Sequence, residues 1–281
     1  MRRNLLDARV MREIGQLAIT RSRAMLEAIS ALKGYAIDAT DGRLGAVNDF
    51  LFDGRTWKVR WLVVDTGTWL VERKILLHPS AIGRTDYEER TFAVNLTKTQ
   101  VRDSPGILRD LPVSRQMERQ LHSYYGSDPL WSGGDGGASL DAMAPPYSPA
   151  PYFGFASPRE IDYSGADPND GDPDLRSVTE VTGYHIDASD GEIGHVENFL
   201  IESATWGICY LVVDTRNWWP GKHVLMSPYG VKEIDWSEHQ IRVNVTRDKI
   251  KTSPPWDPLG LMNQPEMKRL HAHYNWPGFG S

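Results

Sequence analysis

The feature that most constrains this chain is that it is written twice. Gly34-Tyr35-Ala36-Ile37-Asp38-Ala39-Thr40-Asp41-Gly42 recurs as Gly183-Tyr184-His185-Ile186-Asp187-Ala188-Ser189-Asp190-Gly191, an offset of 149 residues that holds without a gap. At that offset Thr56-Trp57 meets Thr205-Trp206, Leu62-Val63-Val64-Asp65-Thr66 meets Leu211-Val212-Val213-Asp214-Thr215, and Pro79 meets Pro228. Leu121-His122 and Tyr125 meet Leu270-His271 and Tyr274 near the end of each copy. Self-similarity at a fixed spacing marks a repeated structural unit. With 281 residues the chain is long enough for two such units, each with a core.

Within each copy the pattern is β. Asp41-Gly42 and Asp53-Gly54 are hairpin turn signals, and Arg43 to Phe52 between them has the length of a strand. From Trp57 to Asp65, Trp57, Val59, Trp61 and Val63 alternate with Lys58, Arg60, Leu62 and Val64, which predicts a central strand with Trp57, and Trp206 in the other copy, in the core. Lys74 to His78 and Arg90 to Leu96 supply two more short strands. Ser114 is placed as the N-cap of a helix through Met117, Leu121 and Tyr125, matched by Met267, Leu270 and Tyr274. The pattern predicts a mostly β chain: two small antiparallel β-barrels in tandem, each followed by a short C-terminal helix, plus an N-terminal amphipathic helix. The boundaries are 1–32 for the N-terminal helical segment, 33–126 for the first barrel and its helix, 127–179 for a Gly/Pro/Asp-rich linker, and 180–276 for the second barrel and its helix.

The repeated residues carry a family resemblance. Gly-Tyr-x-Ile-Asp-Ala-x-Asp-Gly, then Gly45-x-Val47 and Gly194-x-Val196, then Leu-Val-Val-Asp-Thr, resemble the PRC-barrel family in both copies. That family is named for the cytoplasmic barrel of the photosynthetic reaction-centre H subunit, and includes the barrel of a ribosome-maturation factor. The resemblance implies the barrel fold. It also implies a non-enzymatic protein-binding or complex-assembly role, with peripheral association at the cytoplasmic face of a membrane complex as one setting. An RNA- or ribosome-associated maturation factor is the alternative.

Charge and cysteine content narrow the classes further. A formal net charge of -6 and a pI near 5.8 argue against general DNA binding, which needs a basic surface. The single cysteine, Cys209, excludes an intramolecular disulfide and is read as a packing residue in the central strand of the second copy. The N-terminus places Asp7, Arg9, Arg12 and Glu13 where a signal peptide needs apolar residues, so the expected compartment is the cytoplasm, with the inner-membrane face as a peripheral location.

No pattern nominates a catalytic residue, a cofactor or a metal, and the chain is read as a non-enzyme. Asp38, Asp41 and Asp49 are explained by turn chemistry, because their spacing does not match a calcium loop. Asp65 and Asp214 are read as backbone-bonding residues at strand ends, His122 and His271 as packing or capping residues. His271-x-His273 is discounted as a metal site, since residues two apart on a helix do not face together.

Candidate partner contacts lie in the segments around the repeats. Trp69, Trp218 and Trp219 fall in predicted loops, where they suit either an interface or closure of the barrel mouth. Tyr147, Tyr152 and Phe153 sit among prolines in the linker, as a recognition segment, a strip lying on a barrel, or a spacer. Arg9 and Arg12 belong to a basic amphipathic helix from Asn4 to Leu32, open to a membrane surface, a partner protein, a barrel or a second copy of the chain.

Overall fold

The computed structural model describes residues 26–125 and 171–277, apart from 69, 71, 72, 105, 106, 109–112, 114, 216–222, 255 and 257–261. The first half runs β1 (Leu26–Ala28), α1 (Ile29–Leu32), β2 (Ala36–Ala39), β3 (Gly42–Asp53), β4 (Lys58–Asp65), β5 (Arg73–Leu77), a 3-10 turn (Pro79–Ala81), β6 (Ile82–Asp86), β7 (Thr91–Val94), α2 (Lys98–Asp103), β8 (Ile107–Leu108) and α3 (Arg115–Tyr125). The second half runs β9 (Leu175–Ser177), α4 (Val178–Val181), β10 (His185–Ala188), β11 (Gly191–Glu202), β12 (Gly207–Asp214), β13 (His223–Met226), a 3-10 turn (Pro228–Gly230), β14 (Val231–Asp235), β15 (Gln240–Val243), α5 (Arg247–Lys251) and α6 (Gln264–Tyr274). With one-residue differences at some ends, each element of the first half except β8 has its counterpart at the offset of the sequence repeat.

The repeated residues are those that local geometry demands. Gly45 and Gly194 lie where β3 and β11 pass over the ends of β4 and β12. A Cβ there would come within 2.0 Å of the Asp65 carbonyl oxygen and 1.9 Å of the Asp214 carbonyl oxygen, so no larger residue fits. Asp41 and Asp190 each accept a hydrogen bond from the first amide of a helix, Lys98 N at 2.8 Å and Arg247 N at 2.7 Å, tying hairpin to helix. Pro79 and Pro228 open the 3-10 turns, where a missing amide costs nothing.

The strands form one hydrogen-bonded sheet whose path is β14-β15-β10-β11-β12-β4-β3-β2-β7-β6, with the order of one half mirrored in the other. β5 and β13 branch from β4 and β12. Among the described residues no ladder joins β5 to β6 or β13 to β14, so the sheet is not closed into a barrel as the sequence pattern predicted. In each half a 3-10 turn, Pro79–Ala81 or Pro228–Gly230, stands between those strands and redirects the chain in place of a hairpin.

The halves are knitted together. β1 pairs antiparallel with β11 of the second half, and β9 pairs antiparallel with β3 of the first. Ser177 Oγ donates to Asp49 at 2.5 Å and Thr179 N donates to the other Asp49 oxygen at 3.2 Å. At the counterpart position Asn198 accepts from Ser30 N at 3.3 Å and donates to Ser30 Oγ at 2.6 Å. One buried apolar cluster therefore spans both halves, from Ile37, Phe50 and Phe92 to Ile186, Phe199 and Val243.

The N-terminal helix expected over Asn4 to Leu32 falls outside the described residues up to Met25. Of its end, Leu26–Ala28 is a strand and only Ile29–Leu32 is helical. The spacing of Met25, Ile29 and Leu32 that suggested a longer helix places Ile29 and Leu32 in the core. Residues 175–179, the end of the segment read as linker, are likewise the strand Leu175–Ser177 and the start of the helical turn Val178–Val181. Among the described residues no helix is long and apolar enough to cross a membrane.

Candidate functional site: two clefts at the junction

The junction is built on the two Thr-Trp turns. Trp57 and Trp206 stand just ahead of β4 and β12, not within them, and both adopt a left-handed backbone, with φ of 55° and 58°. This conformation is unusual for a bulky residue. It lets Trp57 O accept from Ile208 N at 2.7 Å while Trp206 O accepts from Val59 N at 2.9 Å, two bonds related by the repeat. The side chains close the seam: Trp57 stacks on Phe52 at 5.6 Å, while Trp206 crosses to Phe50 at 6.2 Å and Phe92 at 6.0 Å. Their expected core role thus holds for Trp57, which is buried, and in part for Trp206, which is half-buried.

On either side of this seam lies a cleft lined by both halves. One, of about 440 Å³, is bounded by Gly54, Arg55 and Trp57 from the first half and by Tyr229, Lys232 and Trp236 from the second. The other, of about 380 Å³, is its counterpart with the halves exchanged, bounded by Ser203, Ala204 and Trp206 and by Ser80, Ile82 and Gly83. The duplicated frame supports two different surfaces. Where the larger cleft has Arg55, Tyr229 and Lys232, the smaller has Ala204, Ser80 and Gly83.

The larger cleft combines an aromatic wall with cationic groups. The Arg176 guanidinium lies 4.3 Å from the centre of the Trp236 ring, a cation–π contact that holds the indole flat. Arg55 reaches Asp174 at 3.5 Å, and both Arg55 and Lys232 are exposed. At the counterpart of Trp236, Tyr87 is 45% exposed and donates to Glu27 at 2.7 Å. The edge of this aromatic surface carries both signs, Arg55 and Lys232 beside Asp174 and Glu233, the mixed polar rim around an apolar centre that protein interfaces show.

None of the eight partner-contact candidates from the sequence can be placed: Trp69, Trp218, Trp219, Tyr147, Tyr152, Phe153, Arg9 and Arg12 lie outside the described residues. Sequence reasoning missed Arg55, Lys232 and Trp236. The signal for them was the match of Trp236 to Tyr87, two aromatics at one repeat position in strand-connecting turns.

Two clusters of titratable groups complete the inventory. In the first half, Arg60 bonds to Glu118 at 2.5 Å, Asp172 at 2.8 Å and Asp53 at 3.3 Å, while Trp61 Nε1 donates to Glu118 at 2.5 Å. Burial, opposed by the Arg60 charge and the Trp61 hydrogen bond and aided by the neighbouring Asp172, pushes the Glu118 carboxyl up to about 7. His78 packs on Trp61 and His122, and burial, then the neighbouring His122 and Arg60 charges, pull it down to about 4. This cluster is sealed, with Glu118 0% exposed, and pins α3 to the sheet. In the second half, Glu197, Asp214 and His223 bring ligand atoms within 4.8 Å of one another, close enough to share a cation.

The other residues singled out from sequence have structural partners. Cys209 is buried, and burial raises its thiol pKa, against nucleophilic use. His271 Nδ1 donates to Pro277 O at 2.6 Å while its Nε2 is bonded to Tyr210 OH at 2.8 Å, and His273 Nε2 donates to Lys249 O at 2.8 Å. Asp38 pairs with Arg43 at 2.9 Å, and Asp65 accepts from Gly67 N at 2.8 Å.

Comparison with known proteins adds one assignment. An uncharacterized protein of Deinococcus radiodurans is 32% identical over 75 residues, which is 27% of this chain and 27% of that protein's length. Residues 26–101 match the PRC-barrel domain, so the matched segment begins at β1, the strand that the first half lends to the second, and ends within α2.

Proposed function

We propose that this chain is a non-enzymatic binding and assembly module in which two PRC-type units, at about 33–126 and 180–276, act as one rigid body. The PRC-barrel match over 26–101 and the repetition of its elements in the second half support two units. The observation that carries the reading is the pair of clefts astride the seam, in which Arg55, Tyr229 and Lys232 of the larger stand where the smaller has Ala204, Ser80 and Gly83. A duplicated frame with one differentiated surface fits asymmetric recognition of a protein partner through the larger cleft. The face of a membrane complex as the setting rests on the family resemblance alone.

Partner capture from separated soluble and membrane fractions tests this, with the full chain as bait and Arg55→Glu/Lys232→Glu as control. Both positions are exposed, so the fold should persist in circular dichroism. The expected result is a set of proteins held by the parent chain and lost from the double variant. An identical set on both baits would remove the larger cleft from consideration.

A further inference from the structure

We propose that His195, Glu197, Asp214 and His223 form a binding site for a divalent transition-metal cation of the zinc class, a site that the first half lacks.

The backbone sets these residues side by side. His195 on β11 is paired with Asp214 on β12, and Asp214 is paired with His223 on β13. Directly paired residues of antiparallel strands project from the same face, so the three form a row across three strands. Glu197 is the extra residue of a bulge between Val196 and Asn198, which frees it from the alternation of β11 and re-aims its side chain. Its carboxylate lies 2.9 Å from His223 Nε2, and His195 Nε2 lies 3.9 Å from Asp214 Oδ2. Four-coordinate zinc with bonds of about 2.1 Å holds its donors roughly 3.4 Å apart; Glu197, Asp214 and His223 already bring ligand atoms within 4.8 Å of one another, and His195, beside Asp214 but outside that group, would rotate in as the fourth ligand.

The donor set selects the cation. Two imidazoles and two carboxylates match zinc and its first-row neighbours, whereas calcium and magnesium take all-oxygen sites. Burial is graded as a coordinating site requires: the Asp214 side chain is 1% exposed and those of His195, His223 and Glu197 are 36%, 25% and 41% exposed, giving a fixed anionic floor with reachable ligands above it. Trp256 stands edge-on to His223 at 6.5 Å and limits its ring.

The duplication supplies an internal control. At the counterpart positions the first half keeps the carboxylate, Asp65, but has Ala46, Asn48 and Lys74 in place of His195, Glu197 and His223. Asn48, Asp65 and Lys74 line a pocket of about 180 Å³, where the lysine brings its own cation. A preserved scaffold accounts for the shared aspartate. It does not account for three further positions that all carry metal-binding side chains in one half only. A bound cation would tie the two ends of the β12–β13 connection to β11.

The test is calorimetric titration of chelator-stripped full-length chain with zinc chloride. One equivalent should bind, and His195→Ala and His223→Ala should each weaken binding by more than about tenfold. His185→Ala removes an imidazole that pairs with Glu192 outside the cluster, and should bind as the parent does. Glu197→Gln, at the most exposed ligand, covers the case in which a histidine variant disturbs the sheet. Cobalt(II) added instead of zinc should give the strong visible absorption of a four-coordinate site, lost in His223→Ala. Absence of stoichiometric uptake, or uptake equal in His195→Ala, His223→Ala and Glu197→Gln, overturns the proposal.

Discussion

At the scale of single residues, the most unusual group is the carboxyl of Glu118. It is fully buried, receives Trp61 Nε1, and shares Arg60 with Asp53 and Asp172. Its pKa near 7 exceeds the unfolded value of about 4.3, so between those values the folded chain keeps a proton that the unfolded chain has released. This contribution to stability is present at low pH and is lost as pH rises through about 7. His78 has the opposite sign: its folded pKa near 4 lies below the ordinary value of about 6.5, so its contribution is present at high pH and is lost as pH falls towards 4. The two oppose each other over their shared window. Glu118→Gln should therefore leave the His78 effect exposed, with stability rising between about pH 4.5 and 6.5 relative to the parent by up to roughly 1.4 kcal/mol per pH unit. Urea unfolding of both proteins across pH 4.5 to 7.5 measures it, and parallel pH curves would contradict the assignment.

At the scale of elements, the exchanged strands depend on one polar anchor in each half. Asp49 receives Ser177 Oγ and Thr179 N, and lies 3.4 Å from Lys33, thereby fixing β9 and α4 against the first half. Asp49→Ala should cost about 1–2 kcal/mol, because two donors at a part-buried position lose their acceptor. Asp49→Asn, which copies Asn198 of the other half, should cost less than the alanine change; thermal or urea unfolding ranks the two. The equal loss of stability in both variants would mean that charge, not hydrogen-bond geometry, holds the strand. The long strands were legible in the sequence because Asp-Gly turns and apolar runs bracket them. β6 was not, since Ile82-Gly83-Arg84-Thr85-Asp86 has no apolar alternation and depends on β7 for its pairing. β1 and β9 were hidden for another reason: a three-residue strand has too few side chains to show a period, and its partner lies in the other half. In β4 the phase of burial changes at Arg60, an extra residue between Val59 opposite Phe52 and Trp61 opposite Leu51. That bulge turns Trp61 and Val63 towards α3 while Val59, Leu62 and Val64 stay in the main core. A similar limit applied to the sites. Looking for histidines retained in both copies finds scaffold, such as His271, and passes over His195 and His223, where the copies differ.

At the scale of the whole molecule, duplication has produced one body with one fused core. Each half gives its first strand to the other, the Thr-Trp turns bond reciprocally, and Phe52 meets Phe199 across the seam at 5.9 Å. A surface that recognises a near-copy of itself is self-complementary, so a single half has the elements of a two-fold dimer. The first half alone, residues 1–126, would expose Phe50, Phe52 and Phe92 along the seam and leave β1 without β11. A second copy repairs both defects, since its Trp57 can take the place of Trp206 and its β3 the place of β11. The fragment should therefore run as a dimer in light scattering, with strand content retained in circular dichroism. Dilution should dissociate it together with loss of that signal, because the exchanged strands are shared between protomers. A folded monomer at all concentrations would show that β1 can return to its own half. The seam would then be a docking surface between two independent units, not part of one core.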